Sequence, residues 1–333
     1  MCAETKAPGD QAGRDAAGGR RLITGADRGR IGPAMPELPD ITDYIEALKP
    51  RLIGRPLRGI RRRSPFLLRS VAPPLADFSG RPVIEILRLG KRIAFGFEGD
   101  LWLILHLMIA GRLHWQETGA EIPKRRGLAA FDFAEGSLIL TEAGSRRRAS
   151  LYAESGRDTM LAHHPGGLEI LETTLADFSA ALRRENHTVK RALTDQRVFS
   201  GIGNAYSDEV LHRARLSPVA MTARLDDAEV ERLFAAARET LAEWCDRLRR
   251  ETGEGFPSKV TAFRPEMAVH GKYGQACPVC GTEVQRIRHV GNETNYCPRC
   301  QTEGRILADR SLSRLLKADW PRRIEELEGR RRG

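Results

Sequence analysis

Apolar residues first fall into a period at Ile41. Ile41, Tyr44, Ile45, Leu48 and Leu52 recur at helical spacing, which predicts a helix with one buried face, Asp40 as its N-cap, and Gly54 and Pro56 ending it. From Leu57 to about Tyr152 the pattern changes to short apolar runs at 83–87, 92–97, 101–107, 112–116, 128–133, 138–141 and 149–152. Glu98-Gly99-Asp100 and Glu135-Gly136 have the chemistry of hairpin turns, so this stretch reads as a β-sandwich or barrel. Past Pro165 the period returns to that of helices, at 175–183, 188–193, 205–213 and 226–249. A linker bearing Gly and Pro follows at 252–257, then a cysteine-containing region of short strands and turns. Residues 1–34, rich in Gly, Ala and Arg, have no apolar period and cannot offset the entropy of ordering, so disorder, or absence from the mature protein, is expected there. At the other end, Leu307, Leu312, Leu315 and Leu316 suggest a helix packed on the cysteine region.

The fold class expected is α+β. Its parts are a strand-rich domain at 35–155 led by a helix, a helical domain at 165–255, a four-cysteine finger at 265–301 and a basic extension at 302–333. No run approaches the roughly 18 uncharged apolar residues of a membrane span, and no signal-peptide pattern opens the chain. A soluble, cytoplasmic, monomeric protein with no membrane partner is therefore expected. Charge adds a partner class. The 333-residue chain carries a net charge of +10, with arginine-rich clusters at 61–63, 124–126, 146–148 and 330–332. Each cation that neutralises a phosphate releases a counterion, so clustered arginines favour nucleic acid, although a basic but ordinary enzyme would also fit.

Three motifs carry chemistry. Cys277-Pro-Val-Cys280 and Cys297-Pro-Arg-Cys300 flank a sixteen-residue spacer, and two such knuckles bring four thiolates to one point. Four protein thiolates leave no open position, so one structural Zn²⁺ is expected; a redox pair or an iron–sulfur site are the alternatives. Met35-Pro36-Glu37-Leu38-Pro39-Asp40 is either a proline-rich lead-in to a helix or, with the methionine removed, a free secondary amine beside a carboxylate. Such an amine can attack a sugar C1′ while the carboxylate moves protons. In 199–210, Gly201-Ile-Gly203-Asn204 permits a tight turn into a helix N-terminus, where exposed amides attract phosphate; an ordinary helical corner has the same pattern.

With these three motifs in this order, the chain from Met35 to about Gln301 resembles the formamidopyrimidine-DNA glycosylase and endonuclease VIII family. The resemblance implies an N-terminal β-sandwich, a helix–two-turn–helix domain and a zinc finger. It implies a bifunctional glycosylase and AP lyase that flips an oxidised base from damaged double-stranded DNA, displaces it and cuts by β,δ-elimination. Pro36 then corresponds to the nucleophile, Glu37 to the proton-transfer residue and Lys91 to a lysine contacting phosphate by the lesion. Asn204 corresponds to an asparagine binding backbone phosphates. A bacterial, nucleoid-associated location follows. A catalytically silent DNA-binding protein of the same fold is the rival reading. A zinc-ribbon RNA or translation module leaves the PELPD start and the strand-rich half unexplained.

The chain departs from the family pattern in four places. Pro36 is preceded by 35 residues, and an amide nitrogen cannot form a Schiff base, so a start at Met35 or removal of 1–34 is expected. Asn292 stands where the family has a phosphate-clasping arginine, which leaves Arg286 or Arg288 as neighbours able to serve. The loop from Glu142 to Ala149 keeps Arg146, Arg147 and Arg148 but lacks the family's wedging aromatic. His106-Leu107-Met108-Ile109 replaces the usual His-Leu-Gly-Met, making Ile109 or Met108 the wedge and Arg146 and Arg147 the groups expected on the DNA.

Overall fold

A computed structural model describes residues 35–144, 146–261, 263–289, 291–309 and 320–332. The expected disorder of 1–34 and the expected helical leucines at 312, 315 and 316 lie outside the described residues.

The first helix, α1 (Leu38–Leu52), starts three residues earlier than the expected Asp40 cap and Ile41 start indicate. Asp40 is not its N-cap. Glu37 occupies that position, and the Asp40 carboxylate reaches back to accept the Glu37 amide at 3.0 Å. The N-cap side chain is thereby free to bond elsewhere, and Asp40 supplies one half of a capping box.

Two four-stranded antiparallel sheets follow. One has the order β1 (Gly59–Arg62), β6 (Gly127–Asp132), β7 (Ser137–Glu142), β5 (Gly111–Gln116). The other has the order β2 (Val83–Leu89), β3 (Arg92–Phe97), β4 (Leu101–His106), β8 (Ser150–Ser155). The Glu98-Gly99-Asp100 hairpin joins β3 to β4, with Gly99 at φ 84° and Asp100 at φ 56°. Leu103, Leu105, Leu113, Leu128, Phe131, Leu138, Leu140 and Leu151 form a core between the sheets, and the α1 face of Ile41, Tyr44, Ile45, Leu48 and Leu52 joins the same core.

A short helix, α2 (Arg157–Leu161), ends the sandwich. The helical domain comprises α3 (Leu175–Arg183), α4 (Val189–Thr194), α5 (Asn204–Arg213) and the long α6 (Asp227–Thr252). Asp226 caps α6 by accepting the Glu229 amide at 2.7 Å, while Glu229 accepts the Asp226 amide at 3.1 Å. This domain has its own core, built on Phe178, Phe199, Tyr206, Leu211, Leu233, Leu241 and Trp244. Leu38, at the head of α1, is buried in this second core. The chain from α6 to the finger returns across the sandwich: Val260 enters the sandwich core, and the Arg112 guanidinium donates to its carbonyl at 2.7 Å.

The finger is a hairpin of β9 (Gln285–Arg288) and β10 (Glu293–Tyr296), followed by the one-turn α7 (Pro298–Thr302). Leu307 is not in a helix. Its amide donates to the Tyr296 hydroxyl at 2.7 Å, so the extension first runs as irregular chain against the finger. The extension's described helix is the later α8 (Ile324–Arg332).

Candidate active site and zinc hairpin

The site forms where the first residues of the sandwich meet the glycine turn of the helical domain. Pro36 and Glu37 are buried, and the Leu38 amide donates to the Gly201 carbonyl at 3.0 Å. The Glu37 carboxylate lies across the N-terminus of α5. It accepts the amides of Gly203 at 2.5 Å, Ala205 at 2.9 Å and Tyr206 at 3.3 Å. These are among the amides that a helix leaves without partners, and their aligned dipoles favour an anion there. A buried carboxylate would otherwise be costly, so this placement explains how an acid only 2% exposed is tolerated.

Two glycines make the approach possible. Gly201 has φ 84°, and a Cβ on it would fall 2.7 Å from the Leu38 Cβ. A Cβ on Gly203 would meet the Glu37 carboxyl at 2.5 Å and Lys91 Nζ at 2.6 Å. Lys91, at the β2–β3 turn, therefore reaches the same point. Burial pushes its ammonium below the ordinary lysine value, and the neighbouring Glu37 opposes that fall.

Beneath Glu37 lies Asp40, 3% exposed, whose Oδ1 has no hydrogen-bond partner. Burial pushes its pKa up to about 7, against the bond from the Glu37 amide and the nearby charges of Arg264 and Arg112. His106, at the end of β4, is pushed down to about 4 by burial and by Arg92 and Lys91, so its imidazole is neutral at physiological pH.

Helix α5 links this site to the finger. Asp208 is fully buried. It takes Lys190 Nζ at 2.5 Å on one oxygen, and His270 Nδ1 at 2.8 Å and the Asn295 amide at 3.1 Å on the other. Glu209 accepts the amides of Ala268, Val269 and His270 at 2.7, 2.9 and 2.9 Å. His212 Nε2 lies 3.3 Å from Cys277 Sγ. One helix thus holds the chain start at its N-terminus and the finger along its length. The periodicity of 205–213 gave no sign of this, because the buried polar residues follow one another and the partners lie about 60 residues or more away in sequence.

The four cysteines converge. One ligand atom from each of Cys277, Cys280, Cys297 and Cys300 lies within 4.8 Å of all the others, with Cys280 and Cys297 sulfurs 3.4 Å apart and those of Cys277 and Cys300 3.9 Å apart. Tetrahedral zinc with bonds of about 2.3 Å needs sulfurs about 3.8 Å apart, so the donor set fits.

The remaining expected residues fall into two places. Asn204 begins α5, and its side-chain amide donates to the Glu293 carbonyl at 2.9 Å, joining it to the finger. Asn292 and Arg288 are exposed near the hairpin tip. Of the two candidate substitutes for the missing arginine, Arg286 is half-buried, with its guanidinium 4.1 Å from the Tyr273 ring centre and 3.3 Å from Glu293. Arg146, Arg147 and Ile109 are instead on the sandwich rim, where the Ala143 amide bonds the Ala110 carbonyl at 3.2 Å. Met108 there has φ 53°, a left-handed backbone that strains a side chain other than glycine.

A buried acid on a helix N-terminus, a lysine beside it, a basic surface and a four-thiolate hairpin define a three-part protein of nucleic-acid-binding type. Comparison with known proteins makes the assignment specific. Residues 35–150 match the formamidopyrimidine-DNA glycosylase N-terminal domain, 168–250 the H2TH domain of the same glycosylase, and 274–302 the zinc finger found in FPG and IleRS. Formamidopyrimidine-DNA glycosylase of Thermus thermophilus is 33% identical over 285 residues, covering 81% of this chain and all of the relative. An uncharacterized formamidopyrimidine-DNA glycosylase-like protein of Mycobacterium tuberculosis is 40% identical over 151 residues, covering 45% of this chain and 94% of that one. Among solved structures, a Lactococcus lactis FPG variant in complex with Fapy-dG-containing DNA has a TM-score of 0.71 and 26% identity, over 80% of this chain and all of that one. The MutM (FPG) protein of Thermus thermophilus has a TM-score of 0.67 and 31% identity, over 80% and 98%. The chain belongs to the formamidopyrimidine-DNA glycosylase family. No helix among the described residues is long and apolar enough to cross a membrane.

Proposed function

We propose that this protein is a base-excision repair glycosylase and AP lyase that removes oxidised bases of the formamidopyrimidine and 8-oxoguanine type from duplex DNA. The observation that carries this reading is the meeting of Glu37, Lys91 and the α5 N-terminus at one buried point, with the buried Pro36 next to Glu37 in the chain. With Pro36 as the first residue, its secondary amine attacks C1′ of the flipped nucleotide. The C1′–base bond breaks, and the base leaves with a proton. The amine gives up its proton, the C1′–O4′ bond opens, and an iminium forms between Pro36 and the sugar. Loss of a C2′ proton then expels the 3′-phosphate. Glu37, held by three amides, is the group placed to exchange protons with the sugar oxygen and C2′. Lys91 faces the phosphate, and Asn204 binds the backbone beside it.

The finger residues Asn292 and Arg288, and Arg146, Arg147 and Ile109 on the sandwich rim, are assigned to DNA contact. One zinc held by Cys277, Cys280, Cys297 and Cys300 would cross-link the hairpin and take no part in the chemistry, since its four positions are filled by thiolate. The protein acts as a monomer. A second reading rests on one observation: in the 333-residue chain Pro36 follows Met35, and its nitrogen is an amide. In that form the protein binds DNA without cutting it.

The test is a panel of duplexes carrying 8-oxoguanine, a formamidopyrimidine, an oxidised pyrimidine or an abasic site. Protein beginning at Pro36 should release the purine lesions and nick the strand, whereas the 333-residue chain should bind without nicking. Absence of release by the shorter protein from every duplex would refute the enzymatic reading.

A further inference from the structure

Phe66 is an aromatic side chain with 76% of its surface in water, and nothing in the catalytic account uses it. Its backbone is nevertheless well held. Ser64 and Leu67, on either side of the turn, are buried. The amides of Arg63 and Ser64 both donate to the Leu128 carbonyl, at 2.9 and 3.2 Å. The Leu151 amide donates to the Leu67 carbonyl at 2.9 Å, and the Arg69 amide donates back to Leu151 at 2.9 Å. The turn is therefore pinned to the first residues of both β6 and β8, with the ring directed outward.

Those two strands are entered from the basic runs 124–126 and 146–148, whose residues are exposed. The runs are tied to each other: the Arg147 guanidinium donates to the Arg125 carbonyl at 2.6 Å, and the Glu142 amide to the Arg126 carbonyl at 2.8 Å. The Ala143 amide connects the same rim to the turn bearing Ile109, itself 39% exposed. Glu142, an acid within this region, is buried and takes the amides of Arg148 and Ala149, so its charge is turned inward. The loop 142–149 contains no aromatic residue.

An exposed aromatic fixed among exposed arginines combines a stacking surface with phosphate-binding charge, the pairing by which proteins hold or wedge unstacked bases. We propose that Phe66 stacks against, or inserts between, bases of a DNA strand lying across the sandwich rim. The turn thus supplies the aromatic contact that the neighbouring arginine loop lacks. This rests on the DNA-binding reading above.

The test compares wild-type protein with Phe66→Ala and Phe66→Trp on a lesion-analogue duplex, with 2-aminopurine placed at successive positions about the lesion. The ring is exposed, so both variants should keep the wild-type thermal midpoint. Phe66→Ala should weaken binding at least fivefold, the lower end of what a lost aromatic–base stack produces. It should leave the dependence of affinity on salt unchanged, since no charge is removed. It should also abolish a 2-aminopurine signal at one position, and Phe66→Trp should restore both binding and signal. Wild-type protein that binds the duplex, with Phe66→Ala matching it in affinity and fluorescence, would overturn the Phe66 inference alone. Wild-type protein that fails to bind any duplex would overturn the functional reading and this inference together.

Discussion

Replacing Asp40 by Asn tests the electrostatics beneath the site. Asp40 is 3% exposed, Oδ2 accepts the Glu37 amide, Oδ1 has no partner, and burial has moved its pKa from 3.8 to about 7. Because the folded value is the higher one, the unfolded chain ionises first as pH rises. The stability that this group contributes is fully present below about pH 4 and is lost as pH climbs through 7. A displacement of that size corresponds to about 4 kcal/mol at about 1.4 kcal/mol per pH unit. Asparagine keeps an oxygen for the Glu37 amide and cannot ionise. The variant should therefore gain on the wild type by up to about 4 kcal/mol between pH 4 and 7.5. Urea unfolding of both zinc-loaded proteins at several pH values measures the difference, and contributions from all other groups cancel in it. A difference that stays flat across this range would refute the reasoning.

Other perturbations have equally definite outcomes. Gly203→Ala places a methyl 2.5 Å from the Glu37 carboxyl and 2.6 Å from Lys91 Nζ, so base release should fall more than tenfold while zinc content, measured by metal analysis, stays constant. Glu37→Gln turns an amide NH₂ toward backbone N–H donors, which should cost about 1–3 kcal/mol of stability by chemical denaturation as well as most of the turnover. Asp208→Ala removes the counter-charge of Lys190 and the acceptor of the Asn295 amide, and should lower stability by about 3–5 kcal/mol in the same measurement. Chelation of zinc should unfold the finger and abolish DNA binding while the sandwich retains its strand signal in circular dichroism.

What the sequence discloses follows the range of each interaction. The seven apolar runs appear as strands because a short apolar run bounded by turn residues is a local signal, and Cys277, Cys280, Cys297 and Cys300 converge because each pair is already set by its knuckle. β1 was not legible: Gly59-Ile-Arg-Arg62 has a single apolar residue, and its pairing with β6 comes from partners some 70 residues on. Asp40 is a good N-cap residue by type, yet it stands at the third helical position. Glu37 displaces it because the Glu37 carboxylate has three amides waiting on α5. The hubs Asp208 and Glu209 were hidden for the same reason, as acids in an amphipathic helix whose partners belong to the finger. Leu307 reads from the sequence as the first leucine of a helix, yet its amide is committed to Tyr296.

Sodium borohydride trapping on an abasic-site duplex tests the central claim, that the Pro36 ring nitrogen is the attacking group. With the chain beginning at Pro36, reduction should fix protein and DNA in one covalent species, with the attached sugar located by mass spectrometry on the N-terminal peptide. Adduct mapped to a lysine, or no adduct from a protein that still binds the duplex, would contradict it.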